Sequence, residues 1–142
     1  MQENSLNIVP KKLLFEIGGY DGPSFKIELE RNKLKYYSGL SYLFMEEEVF
    51  NPSEQQWIQF REILNRIEIW NWSRHYESDV LDGTQWSFEI FYEDNSIKIY
   101  GNNAYPDPKN LHKSMVLEYT EPFIDLISAL KNITSDECFI LS

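Results

Sequence analysis

Two short stretches of this sequence hold more chemical variety than a strand or a turn requires. They are Asp82-Gly83-Thr84-Gln85-Trp86 and Gly101-Asn102-Asn103-Ala104-Tyr105-Pro106. A carboxylate, a hydroxyl and an amide set among indole and phenol rings are the parts of a ligand site: the rings wall it, and Asp82, Thr84 and Asn103 give it oriented polar contacts. A third stretch, Trp70-Asn71-Trp72-Ser73-Arg74-His75-Tyr76, adds rings that can reach the same place. The candidate binding residues, for a ligand or a partner, are therefore Trp72, Tyr76, Asp82, Thr84, Trp86, Asn103 and Tyr105. A structural reading competes with this one. Asx side chains hydrogen-bond loop backbone, rings cap a core, and Pro106 ends a strand. Asp-Gly and Asn-Asn are turn-forming dipeptides at strand ends, so the sequence favours the anchoring role.

The segment between the two stretches brings them together. Trp86, Phe88, Ile90 and Tyr92 alternate with polar positions, the period of a half-buried strand. With Asp94-Asn95 as a two-residue type I′ turn, Tyr92 opposes Ile97, Ile90 opposes Ile99, Phe88 opposes Gly101 and Trp86 opposes Asn103. The outer face then pairs Phe91 with Lys98 and Glu89 with Tyr100. Gly101 leaves room for a ring to lie across the backbone. Asp82 forms no acid–base pair of clear geometry with Asp79 or Glu89, and Glu89 has the opposite parity to Trp86. No catalytic residue is assigned.

Other chemistries find little footing. His75 and His112 are far apart and sit in no metal-ligand spacing, so neither a metal nor a cofactor is expected. Gly18-Gly19-Tyr20-Asp21-Gly22-Pro23 precedes a strand and opens no helix, so it is not a phosphate loop. There is no G-x-S-x-G elbow. The single cysteine, Cys138, follows Asp136 and Glu137, which disfavour a thiolate.

The positioning elements read as follows. Leu13, Phe15 and Ile17 share one face of a first strand, near 12–18. Phe25, Ile27 and Leu29 do so in a second, near 24–30. With Arg31-Asn32 as a two-residue loop, Leu29 meets Leu34, Ile27 meets Tyr36 and Glu28 meets Lys35, which sets a third strand near 33–38. Residues 42–46 continue this meander or form its edge. Ser53 and Gln56 make a capping box for a helix over 53–67, with Trp57, Phe60, Ile63, Leu64 and Ile67 inward. A short strand is expected at 115–119. Thr120 or Glu121 caps a second helix with Pro122 in its first turn and Phe123, Leu126, Ile127, Leu130 and Ile133 buried. Cys138-Phe139-Ile140-Leu141 reads as a closing strand. The expectation is a single α+β domain over 1–142. It has an antiparallel sheet of about six strands, an N-terminal meander plus a central hairpin, packed by two amphipathic helices. Residues 1–11 are expected to be a flexible lead-in.

The chain has 142 residues, a net charge of −10 and an aromatic fraction of 15%. That suits one core and argues against disorder. The acidic field repels nucleic acid and anionic membrane and suits a partner with a basic surface. No apolar run is long enough to span a bilayer and the N-terminus has no signal-peptide order, so a cytoplasmic location is expected.

The pattern W-x-W…Y…DGT-x-W…G-x-N-A-Y-P, carried by Trp70, Trp72, Tyr76, Asp82 to Trp86 and Gly101 to Pro106, resembles segments of small uncharacterised bacterial proteins; the likeness spans about 53–106. In charge and size the chain also resembles bacterial immunity proteins that neutralise toxins, which implies a non-enzymatic domain binding a basic protein. The alternative is a small-ligand-binding or enzymatic domain with its site at the open end of the 81–106 hairpin.

Overall fold

The computed structural model describes residues 8–18, 24–39, 45–78, 84–115 and 119–134. Four antiparallel strands, β1 (Lys12–Gly18), β2 (Ser24–Glu30), β3 (Lys33–Gly39) and β4 (Met45–Phe50), form the N-terminal meander. The β2–β3 register is the one that opposed side chains imply: Leu29 faces Leu34, Ile27 faces Tyr36 and Glu28 faces Lys35. Arg31 and Asn32 both take left-handed backbone, with φ of 52° and 67°, as a type I′ turn requires. Of the stretch 42–46, expected to continue the meander or form its edge, residues 45–46 begin β4 and 42–44 lie outside the described residues; among the described residues β4 is the terminal strand on this side.

Helix α1 (Glu54–Arg66) follows. Its capping box is present in both directions: the Gln56 backbone N–H donates to Ser53 Oγ at 3.1 Å, and the Ser53 N–H donates to Gln56 Oε1 at 2.9 Å. Trp57, Phe60, Leu64 and Ile67 are buried, and Ile63 packs beside them half-buried. The helix ends where Glu68 turns left-handed (φ 57°), and a 3-10 turn, Ile69–Asn71, leads to β5 (His75–Glu77). The second hairpin is β6 (Gln85–Phe91) and β7 (Ser96–Asn102). A small separate sheet joins β8 (Tyr105–Asp107) to β9 (Asn110–Met115), and α2 (Glu121–Ile133) follows. All five residues expected on its buried stripe are buried, with Ala129 added.

Among the described residues the large sheet has seven strands, in the order β4-β3-β2-β1-β6-β7-β5. β1 lies against β6, pairing Leu13 with Ile90, Phe15 with Phe88 and Ile17 with Trp86. Among the described residues the class is α+β with two helices, as expected, but the antiparallel sheet of about six strands is corrected to a mixed one of seven. The outer edge of β7 is taken by β5 running parallel to it, and the Tyr100 N–H donates to the Arg74 carbonyl at 3.0 Å. Of the strand expected at 115–119, Met115 belongs to β9, Tyr119 is outside any strand, and 116–118 lie outside the described residues. The closing strand at 138–141 lies outside the described residues. At the start of the chain, Pro10 is buried and the Lys11 N–H donates to the Phe91 carbonyl at 2.7 Å, so this end of the 1–11 segment is pinned to β6.

The central hairpin keeps the expected parity but not the expected partners. Trp86 opposes Gly101, Phe88 opposes Ile99, Ile90 opposes Ile97 and Glu89 opposes Lys98. Every pair is shifted by two residues because the loop holds four, Tyr92 to Asn95, closed by the Tyr92 N–H on the Asn95 carbonyl at 2.7 Å. A clasp from α1 holds this loop. Arg61 holds Asp94 through two 3.0 Å hydrogen bonds and lies 4.2 Å over the Tyr92 ring. That pair holds the Asp94 carboxyl below its usual range, with the guanidinium hydrogen bonds the main cause.

Candidate functional site

The four aromatic candidates come together at the mouth of the β6–β7 hairpin, as one stack inside the core. Trp86 is its centre. Its ring stacks on Tyr76 at 6.1 Å and on Tyr105 at 6.3 Å, and meets Phe123 of α2 at 4.8 Å. Trp72 sits edge-on to Tyr76 at 6.5 Å, and Tyr119 closes the far end against Tyr105 at 5.1 Å. Tyr76 is 0% and Trp86 1% exposed, and Trp72 and Tyr105 are buried with them.

The stack is possible because Gly101 has no side chain. A Cβ there would lie 2.1 Å from Trp86 Nε1, so the indole rests directly on the β7 backbone. The glycine does make room for a ring, but the ring is that of Trp86 directly opposite.

The polar edges of these rings are used inside the protein. Trp86 Nε1 donates to the Ala104 carbonyl at 3.0 Å and Trp72 Nε1 to the Ile67 carbonyl at 2.9 Å. The Tyr76 hydroxyl accepts from the Ser73 N–H at 3.0 Å and donates to the Leu111 carbonyl, tying β5 to β9. Asn103 takes left-handed backbone (φ 50°) and its N–H donates to the Thr84 carbonyl at 2.6 Å, so Thr84 and Asn103 oppose each other at the strand ends. Asp82 lies outside the described residues.

Burial pushes the phenols of Tyr76 and Tyr105 up to about 12 from their ordinary value of 10.0, with the Ser73 N–H and the Thr84 hydroxyl acting in the opposite sense. Tyr92 and Tyr119 move in the same direction, again chiefly through desolvation. Folded-state values above the unfolded ones mean that this contribution to stability is whole below pH 10 and is lost as pH rises through about 12. Melting temperature should therefore fall steeply over that window, with tyrosinate absorbance rising in step. Phenols that ionise near pH 10 while Tm stays constant would mean that the rings are open to solvent.

The open surface next to this stack is a groove of about 590 Å³, between the end of α1, the β8–β9 hairpin and the start of α2. It is lined by Arg66, Ile67, Glu68, Asn71, Pro108, Lys109, Leu111, His112, Glu121, Pro122 and Asp125. Leu111 joins the two places, since its carbonyl takes the Tyr76 hydroxyl. Sequence reasoning passed over these residues because each has an ordinary local reading: the last turn of a helix, a turn dipeptide, the first turn of a helix. The left-handed Glu68 is the one local irregularity, and its residue type does not announce it.

Among the described residues, no group of three or more His, Cys, Asp or Glu side chains could hold a metal ion. No helix among them is long and apolar enough to cross a membrane. No protein-family model matches the chain, and no curated protein gives a significant match.

Proposed function

We propose that this is a non-enzymatic, acidic protein-binding domain that meets a partner with a basic surface in the cytoplasm. A bacterial toxin-neutralising immunity or inhibitor protein is its concrete form. The observation that carries the reading is β4. Glu46, Glu47 and Glu48 are consecutive and exposed on this terminal strand, and none is in an ion pair among the described residues. Alternation turns Glu47 to one side of the sheet and its two neighbours to the other, so the edge is negative on both faces. The open sheet face behaves differently. Apart from Glu47, Lys12, Lys26, Lys33, Lys35 and Lys98 there balance Glu16, Glu28, Glu30, Glu77 and Glu89. Within the large sheet, the excess of acid is therefore concentrated on β4. A charged edge also guards against sheet-to-sheet aggregation, and one experiment separates the two roles.

The triple substitution Glu46→Gln, Glu47→Gln, Glu48→Gln should weaken capture of a basic partner at low salt at least tenfold. The on-rate of the wild-type complex should fall steeply with ionic strength. A variant that aggregates yet keeps the same partners, with salt-independent on-rates, would leave β4 only its guarding role. A second reading, a ligand-binding or enzymatic domain near the 81–106 hairpin mouth, is favoured by the groove beside it; the burial of the aromatic candidates weighs against the mouth itself.

A further inference from the structure

We propose that the groove at the start of α2 binds a small zwitterion, a molecule carrying a carboxylate and an ammonium such as an amino acid or a short peptide. The proposal does not rest on the basic-partner reading, because β4 lies before the first turn of α1 and the groove begins at its last. A helix of thirteen residues separates them by about 20 Å.

The argument comes from charges of both signs that line one open groove with no ion pair joining them. Arg66 and Lys109, with the imidazole of His112, line the groove together with the carboxylates of Glu68, Glu121 and Asp125. Among the described residues no ion pair joins any of these six to any other. Elsewhere the protein readily pairs exposed charges, as in Lys11 with Glu93 at 2.6 Å and Lys12 with Glu89 at 3.2 Å. Both signs are thus presented to the same space from three separate elements. A ligand of one sign would set a like charge against half of this lining, whereas a zwitterion answers both halves. The volume, about 590 Å³, is within the range of small-molecule sites. Glu121 and Asp125 lie four apart on α2 and so share a helix face, which suits them to an ammonium. Lys109, at the β8–β9 turn, is the natural contact for a carboxylate.

Glycylglycine, acetate and ethylammonium chloride are the probes, titrated at constant ionic strength into isotope-labelled protein and followed through backbone amide shifts. Glycylglycine should give saturable shifts centred on Lys109, His112, Glu121 and Asp125. Lys109→Gln and Asp125→Asn should each weaken it at least fivefold, and neither single-charge probe should reproduce the pattern at equal concentration. The β4 triple variant should bind glycylglycine as wild type does, so loss of the partner reading leaves this result standing. Shifts that fail to saturate, that centre elsewhere, that survive both substitutions, or that acetate alone reproduces would overturn the proposal.

Discussion

Replacing Trp86 with alanine is expected to lower the free energy of unfolding by about 3–5 kcal/mol, the range for removing a buried ring of this size. The indole is the hub of the aromatic stack, touching Tyr76, Tyr105 and Phe123 from three different elements. Its removal opens a cavity that none of these can fill alone, because each is held by its own backbone. It also leaves the buried Ala104 carbonyl without the donor it now has at 3.0 Å, which adds the cost of an unsatisfied acceptor. Trp86→Phe keeps much of the ring and loses that donor, so it should cost less than the alanine change. Chemical denaturation of both variants checks the order. A Trp86→Ala protein within 1 kcal/mol of wild type, on the scale of a single lost hydrogen bond, would show that the stack is dispensable.

The second large effect comes from adding one carbon. In an ordinary strand, glycine to alanine is favourable, since it removes the entropy penalty of a glycine in the unfolded chain. At Gly101 the sign should reverse. The new Cβ would fall 2.1 Å from Trp86 Nε1 and 2.3 Å from its Cε2. A fused ring fixed by stacking and by a hydrogen bond cannot bend away as a flexible chain can. Gly101→Ala should therefore destabilise by about 3 kcal/mol, the upper part of the usual overpacking cost. Placing it in a Trp86→Ala background supplies the control. There the carbon has space, and the two changes should be strongly non-additive. Simple addition of the two costs would mean that Gly101 is needed for backbone shape rather than to seat the indole.

The uneven legibility of the sequence follows from how local each cause is. The β2–β3 hairpin could be read residue by residue, because its register depends on neighbours that face each other across a two-residue turn. The β6–β7 hairpin has the same visible grammar, yet its loop holds four residues and is gripped by Arg61 of α1, a contact distant in sequence. Parity survived that shift, which is why the inward residues were identified correctly while their partners were not. The parallel placement of β5 depends on what covers the outer edge of β7, a choice made by the packing of the whole chain. At the candidate site, alternation and turn residues brought Trp86, Tyr105, Thr84 and Asn103 to one end of the hairpin. They could not say that β8, β9 and α2 would close over the rings. The groove was invisible because its lining is drawn from three segments that become neighbours only after that closure.

The pairing of β1 with β6 also bears on how the chain assembles. The N-terminal meander and the β6–β7 hairpin are each built from strands adjacent in sequence, so their internal contacts form over short loops. Joining them requires residues as distant as Leu13 and Ile90 to meet. The loop entropy for that event is lost before Phe15 and Phe88 can pack edge to face at 6.3 Å. This seam is thus the longest-range strand pairing among the described residues, and its closure is expected to be the slow step of folding. Until it occurs, the edges bearing Leu13, Phe15 and Ile17 and those bearing Trp86, Phe88 and Ile90 stay open to strands of other molecules.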